Sequence, residues 1–219
     1  MKATSALLTV IGAVALFGAL AMTGCGPVLA PQPDPSRYYV LSPAFSPPPT
    51  GVSSQATLTI GLGPIQMPGY LDRREIATRA NANEIDYSNI DRWSESLDSN
   101  FRSVLASNLS ADLGNVHIID FPWFQTKDPD YAIAIDVIRF ERGSDGSAVL
   151  SAHWTIRDPA AKTILLQGDC LATTPSQGTS PADSVTALST DLGQLGSQLA
   201  TAIRQLQQSR GNSTPPAGS

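Results

Sequence analysis

Cysteine and histidine are scarce in this chain, and their scarcity excludes several kinds of chemistry. The 219 residues contain two cysteines, Cys25 and Cys170, and two histidines, His117 and His153. Metal sites built from several Cys and His ligands therefore lack a ligand set. His117 falls in an apolar stretch and His153 stands between Ala152 and Trp154, so both are better explained as structural than as catalytic residues.

Motifs for catalysis and nucleotide binding are also missing. The sequence has no Gly-x-Ser-x-Gly elbow, no Ser-x-x-Lys pair, no His-Glu-x-x-His and no phosphate-binding glycine loop. The segment Ile60–Pro64 begins like a dinucleotide fingerprint, but its proline and the lack of a following helix argue against one. Asp128 and Asp130 flank a proline without further ligands, which makes a weak calcium site. We therefore expect no enzymatic activity, no metal and no dissociable cofactor.

The chain has no excess of positive charge either. It carries 14 basic and 19 acidic residues, for a formal net charge of −5. Nucleic acids and anionic headgroups require a basic face, so we expect neither as the main partner. With a hydrophobic content of 42%, the chain has enough apolar side chains to fill the core of a domain.

What the sequence does have is a distinctive N-terminus. Residues 1–24 follow the order of a signal peptide, with Lys2, an apolar run over Ala6–Met22, and the small pair Thr23-Gly24 before Cys25. A cysteine at this place resembles the bacterial lipobox, which implies cleavage before Cys25 and its acylation, including a palmitate-type chain. Gly26 follows where an Asp would signal retention in the inner membrane, and this resemblance favours the outer membrane.

Acylation of Cys25 would define the rest of the N-terminal region. Residues 25–36 would be the acylated cysteine and a proline-rich tether, since proline this dense favours extended structure. The alternative is a transmembrane helix with an incidental cysteine, for which the apolar run is at the short end of what a bilayer of about 30 Å requires. With Cys25 acylated, Cys170 cannot form an intramolecular disulfide, and we expect it to be a buried thiol in a strand.

Residues 37–208 have the pattern of one α/β domain of the α+β type. Alternating or β-branched segments predict strands at Arg37–Ser42, Thr57–Ile65, Glu75–Ala80, Glu84–Ser88 and Val116–Ile119, and an antiparallel meander of Tyr131–Glu141, Ala148–Arg157 and Thr163–Thr174. Apolar stripes predict two helices, Leu97–Leu113, capped by Ser94 or a neighbour, and Pro181–Gln208. The second helix should pack on its own sheet rather than in a coiled coil. We expect a surface loop at Ser46–Ser54 and a disordered tail at 209–219.

Basic and aromatic side chains concentrate in one stretch of this acidic chain. The candidates for partner binding are Tyr70, Leu71, Asp72, Arg73, Arg92 and Trp93. Tyr, Trp and Arg are the side chains that most often dominate protein interfaces, so the cluster predicts a partner-binding surface. Local salt bridges, such as Arg73 or Arg74 with Glu75 or Asp72, explain the same residues equally well, and both interpretations stay open.

Several segments together resemble one known family. They are Tyr38–Leu41, Gly61–Ile65, Met67–Arg73 with Ile76 and Arg79, then Asn83, Arg92-Trp93 with Glu95 and Leu97, and Val104-Leu105 with Asn108-Leu109. On these residues the chain is similar to the PqiC/YmbA-like family of ABC-type transport auxiliary lipoproteins. The resemblance is strongest over Arg37–Leu113 and is looser through the meander and the last helix.

The resemblance implies both a fold and a function. The fold would be a single mixed, largely antiparallel sheet covered by two main helices. The function would be that of a non-enzymatic lipoprotein, anchored in the outer membrane and facing the periplasm. It would work with an MCE-domain protein and an inner-membrane transport component to move lipid between the membranes and support envelope integrity. Homo-oligomeric rings are implied as well.

Two other functions remain as alternatives. One is a structural or regulatory lipoprotein with a similar domain, for example an activator of a cell-wall synthase. The other is a periplasmic hydrolase that uses His117 or His153. Co-purification of an MCE-domain protein would separate the transport function from the first alternative, and loss of activity without loss of folding in histidine variants would favour the second.

Overall fold

The computed structural model describes residues 33–44, 58–123 and 128–212. Cys25, most of the predicted tether, the predicted loop at Ser46–Ser54 and the last seven residues lie outside these ranges. The chain divides into two units, Met1–Pro35 and Ser36–Ser219, and almost all of the described residues belong to the second. Within the described ranges, no helix combines the length and the apolar character needed to span a bilayer.

The described residues of the second unit form eight strands and two long helices. In chain order these are β1 (Arg37–Tyr39), β2 (Leu58–Gln66), β3 (Glu75–Asn81), β4 (Glu84–Trp93), α1 (Leu97–Leu113), β5 (Val116–Asp120), β6 (Tyr131–Arg142), β7 (Ser147–Asp158), β8 (Thr163–Pro175) and α2 (Pro181–Asn212). A single 3-10 turn, Gly69–Leu71, lies between β2 and β3. The predicted α+β class is confirmed.

Strand β6 is the centre of the one mixed sheet. Along one edge it pairs antiparallel with β7, which pairs antiparallel with β8, so the predicted meander is confirmed. Along the other edge it pairs in parallel with β2, and its last residue meets β3 at Thr78 and Arg142. Beyond these strands, β5 is parallel to β2, β4 is antiparallel to β3, and β1 is parallel to β4. The sequence did not reveal the parallel pairs.

Both helices cover the same face of the sheet and pack on each other. The apolar seam of α2 is buried at Leu188, Leu192, Leu195, Leu199 and Ile203. The expectation that this helix packs on its own domain is confirmed. Its glycines allow close approach, since a Cβ at Gly196 would lie 3.0 Å from the Cβ of Asn108 in α1.

Buried polar groups attach the first strand and the segment after it to the domain. The Asp91 carboxylate accepts hydrogen bonds from the Arg37 Nε at 2.8 Å and from the Ser88 hydroxyl at 2.7 Å. The Leu41 amide donates to the Asn100 side chain at 2.6 Å, and the Ala44 amide donates to Asn108 at 2.9 Å. The two asparagines of α1 therefore accept hydrogen bonds from an extended backbone segment that has no strand partner there.

The predicted ends of β4 and α2 need correction. Strand β4 continues to Trp93 rather than stopping at Ser88, because β1 pairs with its last three residues. The cap of α1, predicted at Ser94 or a neighbour, is Ser96, whose side chain accepts a hydrogen bond from the Ser99 amide. Helix α2 continues to Asn212, so the first residues of the predicted disordered tail are helical.

One carboxylate is buried without full compensation. Asp191 in α2 is fully buried, and the Thr174 hydroxyl of β8 donates to its Oδ1 at 2.6 Å. Its Oδ2 has no hydrogen-bond partner among the described residues. Burial raises the pKa of Asp191 to about 6, against which the hydrogen bonds from Thr174 act only partly. The ionised form is therefore unfavourable where α2 meets β8.

We predict that Asp191→Asn makes the protein more stable than the wild type at neutral pH. The folded-state pKa of Asp191 lies above its unfolded value of 3.8. The contribution of Asp191 to the free energy of unfolding is therefore fully present below about pH 4 and is lost as the pH rises through about 6. The free energy of unfolding of the variant, relative to that of the wild type, should therefore grow by up to about 3 kcal/mol between these two pH values. Urea denaturation at about pH 4 and about pH 7.5 measures it.

The matched control is Asp86→Asn, since Asp86 is exposed on β4. The control should show no comparable growth in stability relative to the wild type as the pH rises. A stability difference between Asp191→Asn and the wild type that stays constant with pH would contradict the assignment of a raised pKa to Asp191.

Candidate functional site

The structure separates the six residues that the sequence predicted as a partner-binding group. Asp72 and Arg73 are exposed, and Tyr70 and Arg92 are partly buried. Leu71 and Trp93 belong to the hydrophobic core, with exposed fractions of 5% and 3%. The prediction that Trp93 is an interface residue needs correction, because its side chain packs in the hydrophobic core.

A buried carboxylate that the sequence analysis did not single out organises this region. Glu141, in β6, has no exposed side-chain surface. Its Oε2 accepts hydrogen bonds from the Tyr70 hydroxyl at 2.6 Å and from the Phe140 amide at 3.0 Å. Its Oε1 accepts hydrogen bonds from the Nε atoms of Arg79, at 2.8 Å, and Arg139, at 2.9 Å. One side chain thus joins the turn at Tyr70, strand β3 and strand β6.

The pKa shifts indicate which protonation states this cluster holds. Burial alone would raise the pKa of Glu141, but the hydrogen bonds from Tyr70, Arg79 and Arg139 lower it below its ordinary value. Burial, reinforced by the hydrogen bond to Glu141, raises the pKa of the Tyr70 phenol. The hydrogen bond to Glu141 raises the pKa of the Arg79 guanidinium. The cluster therefore contains an ionised carboxylate, a neutral phenol and charged arginines.

A second layer of contacts surrounds the Tyr70 turn. The Arg73 guanidinium lies over the Tyr87 ring, 4.3 Å from its centroid, and its Nε donates to Glu75 at 3.4 Å. The Tyr87 hydroxyl donates to the Tyr70 carbonyl at 3.1 Å, and Arg92 lies 3.7 Å from Glu75. The local salt-bridge interpretation of these arginines is confirmed, while the partner-binding interpretation stays a prediction.

The exposed part of this region borders a groove of about 510 Å³. We call it the Asp72–Arg74 groove; its lining comprises Met67, Gly69, Leu71, Asp72, Arg73, Arg74, Ser96, Leu97 and Asp98. The Arg74 carbonyl accepts a hydrogen bond from the Trp93 amide at 2.7 Å, which fixes its backbone against β4. Among the described residues, the Arg74 side chain has no ion-pair or hydrogen-bond partner. The groove thus offers charges of both signs on a fixed backbone.

Glu141 could have drawn attention in the sequence through its neighbours. It stands near the end of a largely apolar strand, next to Phe140 and between two arginines, Arg139 and Arg142. An acid in such a run requires partners if it is buried. The pattern alone does not say that Tyr70 and Arg79, more than 60 positions earlier in the chain, supply them.

The remaining candidates for chemistry lie apart from one another. His117 is exposed on β5, and His153 is exposed on β7, where it contacts Asp169 of β8. Cys170 is buried in β8 as predicted, and burial raises the pKa of its thiol to about 11. Across the described ranges, no group of three His, Cys, Asp or Glu side chains is arranged to hold a metal ion.

Comparison with known proteins identifies the family. A family model described as the ABC-type transport auxiliary lipoprotein component matches residues 39–200. The chain belongs to this family. The resemblance seen in the sequence is thereby confirmed. The description of the family refers to transport and names no enzymatic reaction. No curated protein sequence matches the chain.

Two solved structures support the fold of this auxiliary lipoprotein. Protein XCC0632 from Xanthomonas campestris is 19% identical, with a TM-score of 0.66, over 80% of this chain and 99% of the other. A protein described only as uncharacterized is 18% identical, with a TM-score of 0.63, over 77% and 98% of the two chains. At these identities the likeness shows the fold alone.

We predict that Trp93→Ala acts on folding rather than on a surface contact. Removing a buried indole leaves a cavity, and the free energy of unfolding should fall by about 3–5 kcal/mol. Arg92→Ala is the matched control, because its side chain is 35% exposed and its ion pair with Glu75 is long. That variant should lose about 1 kcal/mol or less. Denaturant unfolding of both variants measures the difference, and equal stability would contradict the placement of Trp93 in the core.

Proposed function

We propose that this auxiliary lipoprotein is a non-catalytic subunit of an intermembrane lipid transport system. It would be anchored by acylated Cys25 in the outer membrane, face the periplasm, and bind an MCE-domain protein that works with an inner-membrane transport component. The family match over residues 39–200 carries this proposal. The lipobox-like sequence before Cys25 and the non-acidic Gly26 support the anchor and its membrane.

The Asp72–Arg74 groove is the surface we assign to the partner. Its exposed charges follow the turn at Tyr70, which two hydrogen bonds fix to the sheet. The Tyr70 hydroxyl donates to Glu141 at 2.6 Å, and the Tyr87 hydroxyl donates to the Tyr70 carbonyl at 3.1 Å. Groups held in place before binding lose little conformational entropy when a partner arrives. Exposed charges of both signs favour orientation and partner choice over raw affinity, which suits an accessory subunit.

The test is affinity purification of the full-length lipoprotein in a gentle detergent, followed by mass spectrometry of the co-purifying proteins. We expect an MCE-domain protein with the wild type. The double variant Arg73→Glu, Arg74→Glu should recover at least about tenfold less of it, because like charges then face the partner's acidic groups. Both arginines are exposed, so this variant should fold normally.

The matched control reverses the charge of Arg204, an exposed arginine of α2 that lies beside the end of α1 remote from the groove. Arg204 donates to the carbonyl of Asp112, close to the C-terminus of that helix, so Arg204→Glu should keep wild-type recovery. Cys25→Ala tests the anchor and should be neither acylated nor present in the outer-membrane fraction. A wild-type eluate without an MCE-domain protein would contradict the proposal, and a cell-wall synthase in its place would favour the regulatory alternative.

A further inference from the structure

A second cavity, of about 580 Å³, lies on the sheet face opposite the helices, near the start of β6. Its wall includes Phe121 and Trp123 from the segment after β5, and Arg157 and Ile164 from β7 and β8. Arg157 pairs across the sheet with Ala132 on one side and with Ile164 on the other. The small Ala132 between larger neighbours gives the cavity its floor.

Two glycines of β2 seat the aromatic wall against the sheet. A Cβ at Gly61 would lie 2.7 Å from the Trp123 ring, and a Cβ at Gly63 would lie 2.7 Å from the Phe121 Cβ. Gly63 also has a φ of +120°, which L side chains rarely adopt. The rings of Phe121 and Trp123 meet edge to face, 5.3 Å apart. The Gly61–Pro64 segment, which the sequence did not support as a nucleotide site, thus makes room for the side chains of Phe121 and Trp123.

The cavity combines apolar surface with unpaired charges. Phe121 is 44% exposed and Ile164 is 61% exposed, so the cavity presents apolar side chains to the solvent. The cations Arg157 and Lys162 line the cavity together with the carboxylate of Asp128. In the described part of the chain, none of these three side chains has a hydrogen-bond or ion-pair partner.

The neighbouring acid cannot neutralise the two cations from within the domain. Asp158 follows Arg157 directly, but its Oδ2 pairs with Arg210 of α2 at 2.8 Å. Its Oδ1 accepts a hydrogen bond from the Ala161 amide at 3.0 Å. The cavity therefore keeps two positive groups, one negative group and an exposed apolar wall, all available to a ligand.

We propose that this cavity binds a phosphoethanolamine-type phospholipid. The phosphate would pair with Arg157 and Lys162, the primary ammonium group would donate to Asp128, and the first part of an acyl chain would lie on Phe121, Trp123 and Ile164. The charge pattern favours this headgroup over phosphocholine, whose quaternary nitrogen has no N–H to donate, and over phosphoglycerol, which leaves Asp128 without a cation. The proposal adds a direct lipid contact that the accessory role does not require.

The test uses the full-length lipoprotein in a nonionic amphipol, titrated with dihexanoyl-phosphatidylethanolamine below its micelle concentration. Trp93 and Trp154 are buried, so a change in tryptophan fluorescence reports mainly on Trp123. We expect a saturable change in the wild type. Arg157→Gln with Lys162→Gln should weaken binding at least about tenfold, because the phosphate then loses two charge-assisted hydrogen bonds.

Three comparisons make the headgroup assignment specific. Asp128→Asn should weaken binding of the ethanolamine lipid by about tenfold, but should leave or strengthen binding of dihexanoyl-phosphatidylglycerol, which has no ammonium group. Arg204→Gln, which removes an exposed cation elsewhere, should bind like the wild type. The last comparison is with inorganic phosphate and glycerophosphoethanolamine, which have no acyl chains and should compete poorly.

Several results would overturn the proposal. They are a wild type without saturable binding, full competition by inorganic phosphate, and equal binding of the ethanolamine, choline and glycerol lipids by both the wild type and Asp128→Asn. Full competition by phosphate would reduce the cavity to a simple anion site. The co-purification experiment depends on Arg73 and Arg74 instead, so either proposal can fail without the other.

Discussion

The ionised carboxylate of Glu141 is the constraint on which the Asp72–Arg74 groove depends. A buried charge is costly unless hydrogen bonds and opposite charges compensate it, and removing one partner typically costs about 3–5 kcal/mol. Here the compensation comes from Tyr70, Arg79 and Arg139, which belong to the turn after β2, to β3 and to β6. The turn can leave the sheet only by breaking this cluster, and the exposed Arg73 and Arg74 are therefore displayed in one place.

Glu141 and Asp191, two of the three carboxylates that are buried among the described residues, show how local partners decide the state of a charge. Four hydrogen bonds reach Glu141, and its pKa is lowered despite burial. Asp191 receives a side-chain hydrogen bond from Thr174 at one oxygen only, and its pKa is raised by burial. The first carboxylate fixes the β3–β6 side of the domain at all physiological pH values. The second makes the contact between α2 and β8 sensitive to pH.

Much of the fold could be predicted from the sequence, because its signals are local. The three- and four-residue spacing of leucines marks both helices, and the turn residues between β6, β7 and β8 mark the meander. The parallel pairs could not be predicted in this way, since β1 meets β4 more than 50 positions away. The site was harder still. Trp93 is of a residue type that often dominates interfaces, yet its side chain packs in the hydrophobic core. Glu141 becomes important only through partners that the fold brings to it.

The most direct test of this account is backbone hydrogen exchange in Glu141→Gln, a change that keeps the shape but removes the charge. The account predicts that the Leu71 and Asp72 amides, which donate to Pro68 and Gly69 at 2.9 and 3.2 Å, exchange at least about tenfold faster than in the wild type. Amides of β7 and β8 should keep their protection. Unchanged exchange at Leu71 and Asp72, or equal acceleration throughout the sheet, would contradict the claim that Glu141 holds the groove in place.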